Sequence, residues 1–422
     1  MLKLRNHQRL ALLLTQAVCE GAAFLRNIFF ARLLGAEEMG LAVTLALGFR
    51  LFEMAGEFGL DRLLVQVEEQ SLSRTRKMVH LLQLLKGLLI AGVVFIIAAP
   101  LAKTLNPALS PAVLSIAVLA LIMRGASNFD FRVQQRNGLF VPALIVEGGS
   151  TLVSLLACLP LVLMLQDYSA MAWTILLQAS TYCLLSHWNA STPYSLGFTR
   201  DLLGRCLRYG VPIALNGALM FLALQGDRFI VAFNFTAEDL ARFSLAAQLC
   251  VLPALIGGRY LLAAELPRVA SLVNANADMF QHCLNLMVRV AGISIIGAIA
   301  LASTGNALVE FIYGEAYSMT SSVFTFFAIA AAARLIRAVP TIALMAMERT
   351  SLLLVGNLTR LLALPVALWS VSNGAGLTFL VALSASAELL SLLITVAAAY
   401  LIYLSKQQSD THTSVGAIPC TQ

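Results

Sequence analysis

Long apolar stretches alternate with short polar junctions along the whole chain. Twelve such stretches cover roughly residues 10–31, 40–61, 79–100, 109–127, 139–165, 169–188, 208–233, 240–264, 283–303, 320–345, 351–372 and 376–404. Each is close to the ~20 residues that an α-helix needs to cross the hydrocarbon of a bilayer. They are too long for membrane strands and lack the alternation of a barrel. The pattern predicts an all-α, polytopic membrane protein with about 12 transmembrane helices. The run Ala31-Arg32-Leu33-Leu34-Gly35-Ala36-Glu37-Glu38-Met39-Gly40 is echoed 201 residues later by Ala232-Phe233-Asn234-Phe235-Thr236-Ala237-Glu238-Asp239-Leu240-Ala241. Both copies close one apolar stretch and open the next through an Ala-acidic-acidic-apolar turn. The echo predicts two similar halves with a substrate site at their seam, a common transporter plan.

Composition agrees with a lipid solvent. Charged residues make up 12% and hydrophobic residues 59%, with mean hydropathy +0.84; a soluble domain carries about 25% charged residues. Basic residues fall at alternate junctions. Lys3, Arg5 and Arg9 precede the first stretch, and Arg62, Arg74, Arg76 and Lys77 follow the second. Arg132 and Arg136 follow the fourth, and Arg200, Arg205 and Arg208 the sixth. Basic loops stay on the cytoplasmic side, so both termini are expected in the cytoplasm. The first stretch is expected to be an uncleaved helix, because no small-residue cleavage site follows it. The net charge of +6 follows from this topology and requires no nucleic-acid partner.

Even-numbered crossings leave two six-helix lobes in the same orientation, expected at 1–200 and 201–404, with a disordered cytoplasmic tail at 405–422. The polar stretch 187–208 is the expected linker, with a short surface helix. The seven cysteines are scattered with no CxxC pair, and the five histidines never take metal-ligand spacing. No phosphate-binding loop and no catalytic constellation is present. No cofactor and no enzymatic role is expected.

Charged residues within apolar stretches are costly and mark function by default. The first stretch carries Glu20, Arg26 and Asn27, and the second carries Arg50, Glu53 and Glu57 at spacings of three and seven, which a helix places on one face. The seventh carries Asp227 and Arg228, the eighth Arg259. Each has a bland alternative. Arg124, Arg259 and Arg289 sit where a side chain can snorkel to the headgroups. Arg50 with Glu53 can be a satisfied ion pair. Arg334, Arg337, Arg360 and Glu388 are expected to form a structural network. The functional reading concentrates on stretches 1, 2, 7 and 8, where Arg26, Arg50, Arg228 and Arg259 would line an anion-binding cavity. Glu20, Glu53, Glu57 and Asp227 would pair within the cavity or carry a coupling ion, proton or sodium.

The runs FFARLLGAEEMGLAVTLAL and GEFGLDRLLVQ in the first 70 residues resemble the opening of the oligosaccharide flippase family, within the multidrug/oligosaccharidyl-lipid/polysaccharide exporter superfamily. Residues 208–249 look like the start of that family's second half, and FIYGEAY (311–317) with AMERTSLLLVGNLTRLLALP (346–365) are similar to its later helices. The resemblance implies a V-shaped exporter fold with a central cavity. It also implies translocation of undecaprenyl-pyrophosphate-linked oligosaccharide across the bacterial inner membrane, for O-antigen or exopolysaccharide synthesis. It implies alternating access between lobes, with a glycan polymerase and a chain-length regulator as partners. Under it, Arg50 and Arg259 are the main headgroup candidates, with Arg26 and Arg228 nearer the periplasmic end. Alternatives are a cation-coupled multidrug exporter, a major-facilitator transporter, and a membrane glycan polymerase or ligase. A drug exporter calls for an acidic, aromatic cavity, and a polymerase for a large outer loop; neither shows in the chain.

Overall fold

The computed structural model describes the backbone of residues 2–274, 278–349 and 351–415, and the side chains of these except 2–17, 55, 274, 354 and 405–415. The side chains of Lys3, Arg5, Arg9 and Gln16 therefore lie outside the described residues. Among the described residues all regular structure is helical. The first half holds α1 (Leu2–Leu33), α2 (Ala36–Ala55), α3 (Leu60–Gln66), α4 (Glu69–Ile96), α5 (Ala98–Leu105), α6 (Pro111–Gly125) and α7 (Asp130–Arg136). It continues with the short α8 (Val141–Ala143), a π-helical turn at Leu144–Gly149, α9 (Ser150–Leu165) and α10 (Ser169–Trp188). Then come α11 (Arg200–Asn234), α12 (Ala237–Asn274), α13 (Met279–Tyr313), α14 (Ser321–Ala346), α15 (Ser351–Ser372) and α16 (Leu377–Val415).

Each of the twelve apolar stretches falls mainly on helix, with 40–61 running past the end of α2 into α3. Among the described residues eight helices are long and apolar enough to cross a membrane, or nine if α6 and α7, bent by 50°, form one broken span. The remaining three stretches fall on α1, α2 and α10. Large apolar side chains stand exposed along these helices, among them Leu89, Ile96, Leu156, Ile296, Phe311 and Leu362. A monomer in water does not tolerate so many; lipid does. The fold is that of a polytopic membrane protein.

Local chemistry sets the breaks. Pro111 stands in the first turn of α6, where its missing N–H costs nothing. Thr236 and Asp239 cap α12 reciprocally: the Asp239 amide donates to Thr236 Oγ1 at 3.1 Å, and the Thr236 hydroxyl donates to Asp239 Oδ2 at 2.8 Å. The echo in the sequence is an echo in backbone. Helix α1 ends at Leu33 and α2 begins at Ala36; α11 ends at Asn234 and α12 begins at Ala237. The two turns also touch, for a Cβ on Gly40 would collide with the Ala237 backbone.

Two compact units form, Met1–Arg242 with Ile312–Ala316, and Phe243–Phe311 with Tyr317–Gln422. In the first, α10 packs on α6, α9 and α2, α4 packs on α6, and α11 runs along α2. Its buried core joins Leu60, Leu64, Met78, Val79, Phe129, Phe131 and Tyr182. In the second, α16 packs against both α14 and α15.

Three expectations change. Helix α2 stops at Gly56, so Glu57 leaves the face shared by Arg50 and Glu53 and pairs with Arg62 at 3.2 Å. The linker holds no separate surface helix; α11 already begins at Arg200 and carries Arg205 and Arg208 in its first turns. The backbone stays helical to Val415, into the stretch expected to be disordered. Extending an existing helix needs no new nucleus. Residues 416–422 lie outside the described residues.

Candidate functional site

The first unit contains a small polar niche between α1, α2, α6 and α10. Its lining includes Arg26, Arg50, Glu53, Arg124, Gln178 and Phe49. Three guanidiniums therefore face one carboxylate, a net charge of +2. The open volume is about 50 Å³, room for a few waters and less than a pyrophosphate group needs.

Each arginine is held differently. Arg26 comes from mid-α1 and donates through Nη1 to Ser154 Oγ at 3.2 Å and Gln178 Oε1 at 3.3 Å. Its buried Nε has no hydrogen-bond partner among the described residues. Arg50 donates to Glu53 Oε2 at 2.7 Å, one turn along α2. Its side chain is 59% exposed against 16% for Glu53. Arg124, at the C-terminal end of α6, lies 3.6 Å from the other oxygen of Glu53. Its guanidinium sits 4.5 Å from the centre of the Tyr182 ring, a cation–π distance. Glu53 thus bridges two helices by presenting one oxygen to each arginine.

Close helix packing brings Arg124 into the niche. A Cβ on Gly125 would stand 2.5 Å from the Gln83 carbonyl oxygen, and one on Gly87 would stand 2.6 Å from that of Leu121. Only glycine permits that approach of α6 to α4. Lys86, on the same turn of α4, acts electrostatically on Glu53 and donates to Gln83 Oε1.

The four arginines expected to share one cavity do not all meet there. Arg26 and Arg50 line the niche. Arg228 lies on α11 in the same unit but outside the lining, its amide donating to Asp227 Oδ1 at 2.9 Å. Arg259 belongs to the second unit, on α12, and is exposed. Glu20, on α1, acts electrostatically on Arg50. Arg124, read from the sequence as a snorkelling residue, is the lining arginine that the reading missed. Gly87 and Gly125, lodged in apolar helices, were the available signal.

A second arginine cluster lies in the other unit. Arg334 donates through Nε to Glu388 Oε1 at 3.0 Å, and its Nη2 pairs with the same oxygen. Arg360 pairs with the other oxygen. Arg337 donates to Ser391 Oγ at 2.7 Å and Asn357 Oδ1 at 3.2 Å. The side chains of Arg360 and Glu388 are 7% and 5% exposed. The structural network read from the sequence is present.

A third polar hub fixes the stretch between α10 and α11. Asp130 accepts from Arg76 Nη1 at 3.0 Å, Gln134 Nε2 at 3.0 Å, the Ser191 amide at 2.8 Å and the Thr192 hydroxyl at 2.6 Å. His80 stacks on Tyr194 at 4.5 Å. It accepts the Phe129 N–H at Nε2, which leaves Nδ1 to donate to the Ser195 carbonyl at 3.2 Å. Among the described residues no cluster of three metal-ligating side chains occurs.

The helix order and the run of apolar spans among the described residues define a polytopic, all-helical membrane fold. The chain matches the family model described as "Polysaccharide biosynthesis protein" over residues 29–322, and it belongs to that family. Its fold is similar to the lipid II flippase MurJ in an inward closed conformation, with TM-score 0.73, 12% identity, and 91% of this chain and 86% of that chain covered. It is also similar to an inward-facing multidrug resistance MATE family transporter of the MOP superfamily, with TM-score 0.67, 12% identity and 96% of both chains covered. A MOP superfamily transporter from Pyrococcus furiosus aligns with TM-score 0.55, 11% identity and 93% of both chains. No curated protein matches.

Proposed function

We propose that this protein is a flippase that carries undecaprenyl-pyrophosphate-linked oligosaccharide from the cytoplasmic to the periplasmic leaflet of the bacterial inner membrane. The observation that carries this reading is the convergence of Arg26, Arg50 and Arg124 from three helices on one niche of net positive charge. Guanidinium groups bind phosphate oxygens through paired, charge-assisted hydrogen bonds. Membership of a polysaccharide biosynthesis family supports a glycan cargo, and the exporter fold supports transport over catalysis. The prenyl tail would stay in lipid while the pyrophosphate engages the arginines. Alternating access would move the two six-helix lobes, 1–200 and 201–404, against each other, with a proton or sodium ion as the coupling ion. Arg228 and Arg259 would meet the headgroup later in the cycle. A polymerase and a chain-length regulator would act on the product.

The fold likeness to multidrug transporters raises the rival reading of a drug exporter. Three lining arginines would repel a cationic drug. The test is made in cells lacking this protein. Complete lipid-linked repeat units should accumulate, shielded from periplasmic probes, and Arg50→Glu should fail to relieve the build-up. Unchanged lipid-linked glycan would favour the drug exporter. Units that reach the periplasm yet stay unpolymerised would favour a polymerase.

A further inference from the structure

We infer that Glu53 is an internal anion that holds the headgroup arginines when the site is empty, and that it yields them, taking up one proton, when a pyrophosphate diester binds. The inference rests on the flippase reading and adds a proton step to it.

The geometry has three parts. Glu53 gives one oxygen to Arg50 at 2.7 Å and the other toward Arg124 at 3.6 Å. A carboxylate so placed occupies the positions that phosphate oxygens would take. The remaining space is about 50 Å³, so a pyrophosphate cannot enter while Glu53 stays. Arg50, the more exposed partner, can follow an incoming anion outward; Glu53, at 16% exposure, cannot follow into water.

A displaced Glu53 would sit in a low-dielectric niche beside a second anion. Two anions competing for the same guanidiniums favour protonation of the weaker acid. The charged and titratable groups around Glu53 decide whether something else can hold its charge. On α2 this is Arg50, and just beyond its end Glu57, which is engaged by Arg62. Helix α6 supplies Arg124 and α1 supplies Arg26 and Glu20. Helix α10 supplies Gln178 to the lining, with Tyr182 under Arg124. Helix α4 supplies Lys86, whose ammonium donates to Gln83. Helix α11 carries Asp227 and Arg228 and contributes nothing to the lining. Of these groups, Arg26 already donates to Ser154 and Gln178, and Lys86, which acts on Glu53 electrostatically, donates to Gln83.

The proposal makes affinity depend on pH through Glu53. In the empty site Glu53 is ionised and paired; in the loaded site it is protonated. Binding therefore takes up a proton, and affinity falls as pH rises, by at most about tenfold per pH unit. The probe is a short-chain prenyl-pyrophosphoryl sugar, a diester that stays fully ionised between about pH 5 and 8. Calorimetry of its binding to the full chain in detergent, in two buffers of different ionisation enthalpy, should show about one proton taken up. Glu53→Gln should bind the probe about tenfold more tightly at neutral pH and lose the pH slope. Equal affinity and equal slope in wild type and Glu53→Gln would overturn the proposal and leave the flippase reading standing. So would binding by the wild type without proton uptake, a measurement that needs no variant. Failure of the wild type to bind the diester, or undiminished binding in Arg50→Ala with Arg124→Ala, would overturn the headgroup reading and this proposal with it.

Discussion

Arg26, Arg50 and Arg124 share a niche with Glu53 in one unit; Arg334, Arg337 and Arg360 gather around Glu388 and its neighbours in the other. Both clusters set three guanidiniums against one carboxylate, inside helices that should carry no charge at all. They differ in saturation. Glu388 is 5% exposed and engaged on both oxygens by arginines from α14 and α15, and Arg337 is tied to Asn357 and Ser391. Glu53 holds Arg50 at 2.7 Å and Arg124 at a looser 3.6 Å, with open volume beside them. The first arrangement satisfies its carboxylate at short range on both oxygens; the second holds its carboxylate closely on one oxygen only. Identical residue types thus make a saturated cluster in one unit and a looser one, which the flippase reading takes as the headgroup site, in the other; packing is what separates them.

The largest effect tests the saturated cluster. Glu388→Ala leaves the buried Arg360 and the partly buried Arg334 without their carboxylate, a loss of about 3–5 kcal/mol. The detergent-purified variant should melt far below wild type or fail to accumulate. Glu53→Ala removes a looser pairing whose nearer partner, Arg50, is 59% exposed, and should cost less than Glu388→Ala. Its melting should stay nearer wild type while transport changes. Equal destabilisation by the two substitutions would erase the comparison.

A second experiment sharpens the contrast. A buried ion network can be replaced by apolar residues of similar size at little net cost. Arg334→Met, Arg360→Met and Glu388→Leu together should therefore recover most of the stability lost in Glu388→Ala, and transport should return to within about threefold of wild type. The matching replacement at Arg50, Arg124 and Glu53 should also fold, yet carry no glycan. Loss of transport in the folded variant of the second unit would show that its network also contacts cargo.

The sequence shows one of these clusters more fully than the other, for a physical reason. Arg334, Arg337, Arg360 and Glu388 sit in apolar helices with few other polar groups, so they can be satisfied only by one another, and the network was readable. Helix spans were readable for the same cause: runs of apolar residues about the length of a crossing have few other uses. The turn before α2 and its copy before α12 were readable because a short motif recurs at a fixed offset. The niche was readable only in part. Arg50 and Glu53 announce themselves one turn apart, but Arg124 enters through the Gly87–Gly125 approach of α4 and α6, a tertiary fact. Glu57 was misplaced because Gly56 ends α2 one residue earlier. The Asp130 hub was missed because its partners Arg76, Ser191 and Thr192 are scattered over more than a hundred residues.

The smallest effect distinguishes the two arginines of the niche from each other. Arg50 makes one end-on bond to Glu53 and is mostly exposed, so a lysine can reach the same region with the same charge. Arg124 lays its flat guanidinium over Tyr182 while its Nε faces Glu53. A lysine there keeps the charge but loses the planar contact, worth about 0.5–1 kcal/mol when partly exposed and more when desolvated. It also loses the fork that grips two oxygens. Arg124→Lys should therefore weaken binding of the pyrophosphate diester by about fivefold, and Arg50→Lys by about twofold or less. Titration of both variants with the same probe decides the order. The reverse order would place the headgroup on Arg50 and reduce Arg124 to a helix-positioning residue; the niche would then resemble the saturated cluster more than its composition and open volume suggest.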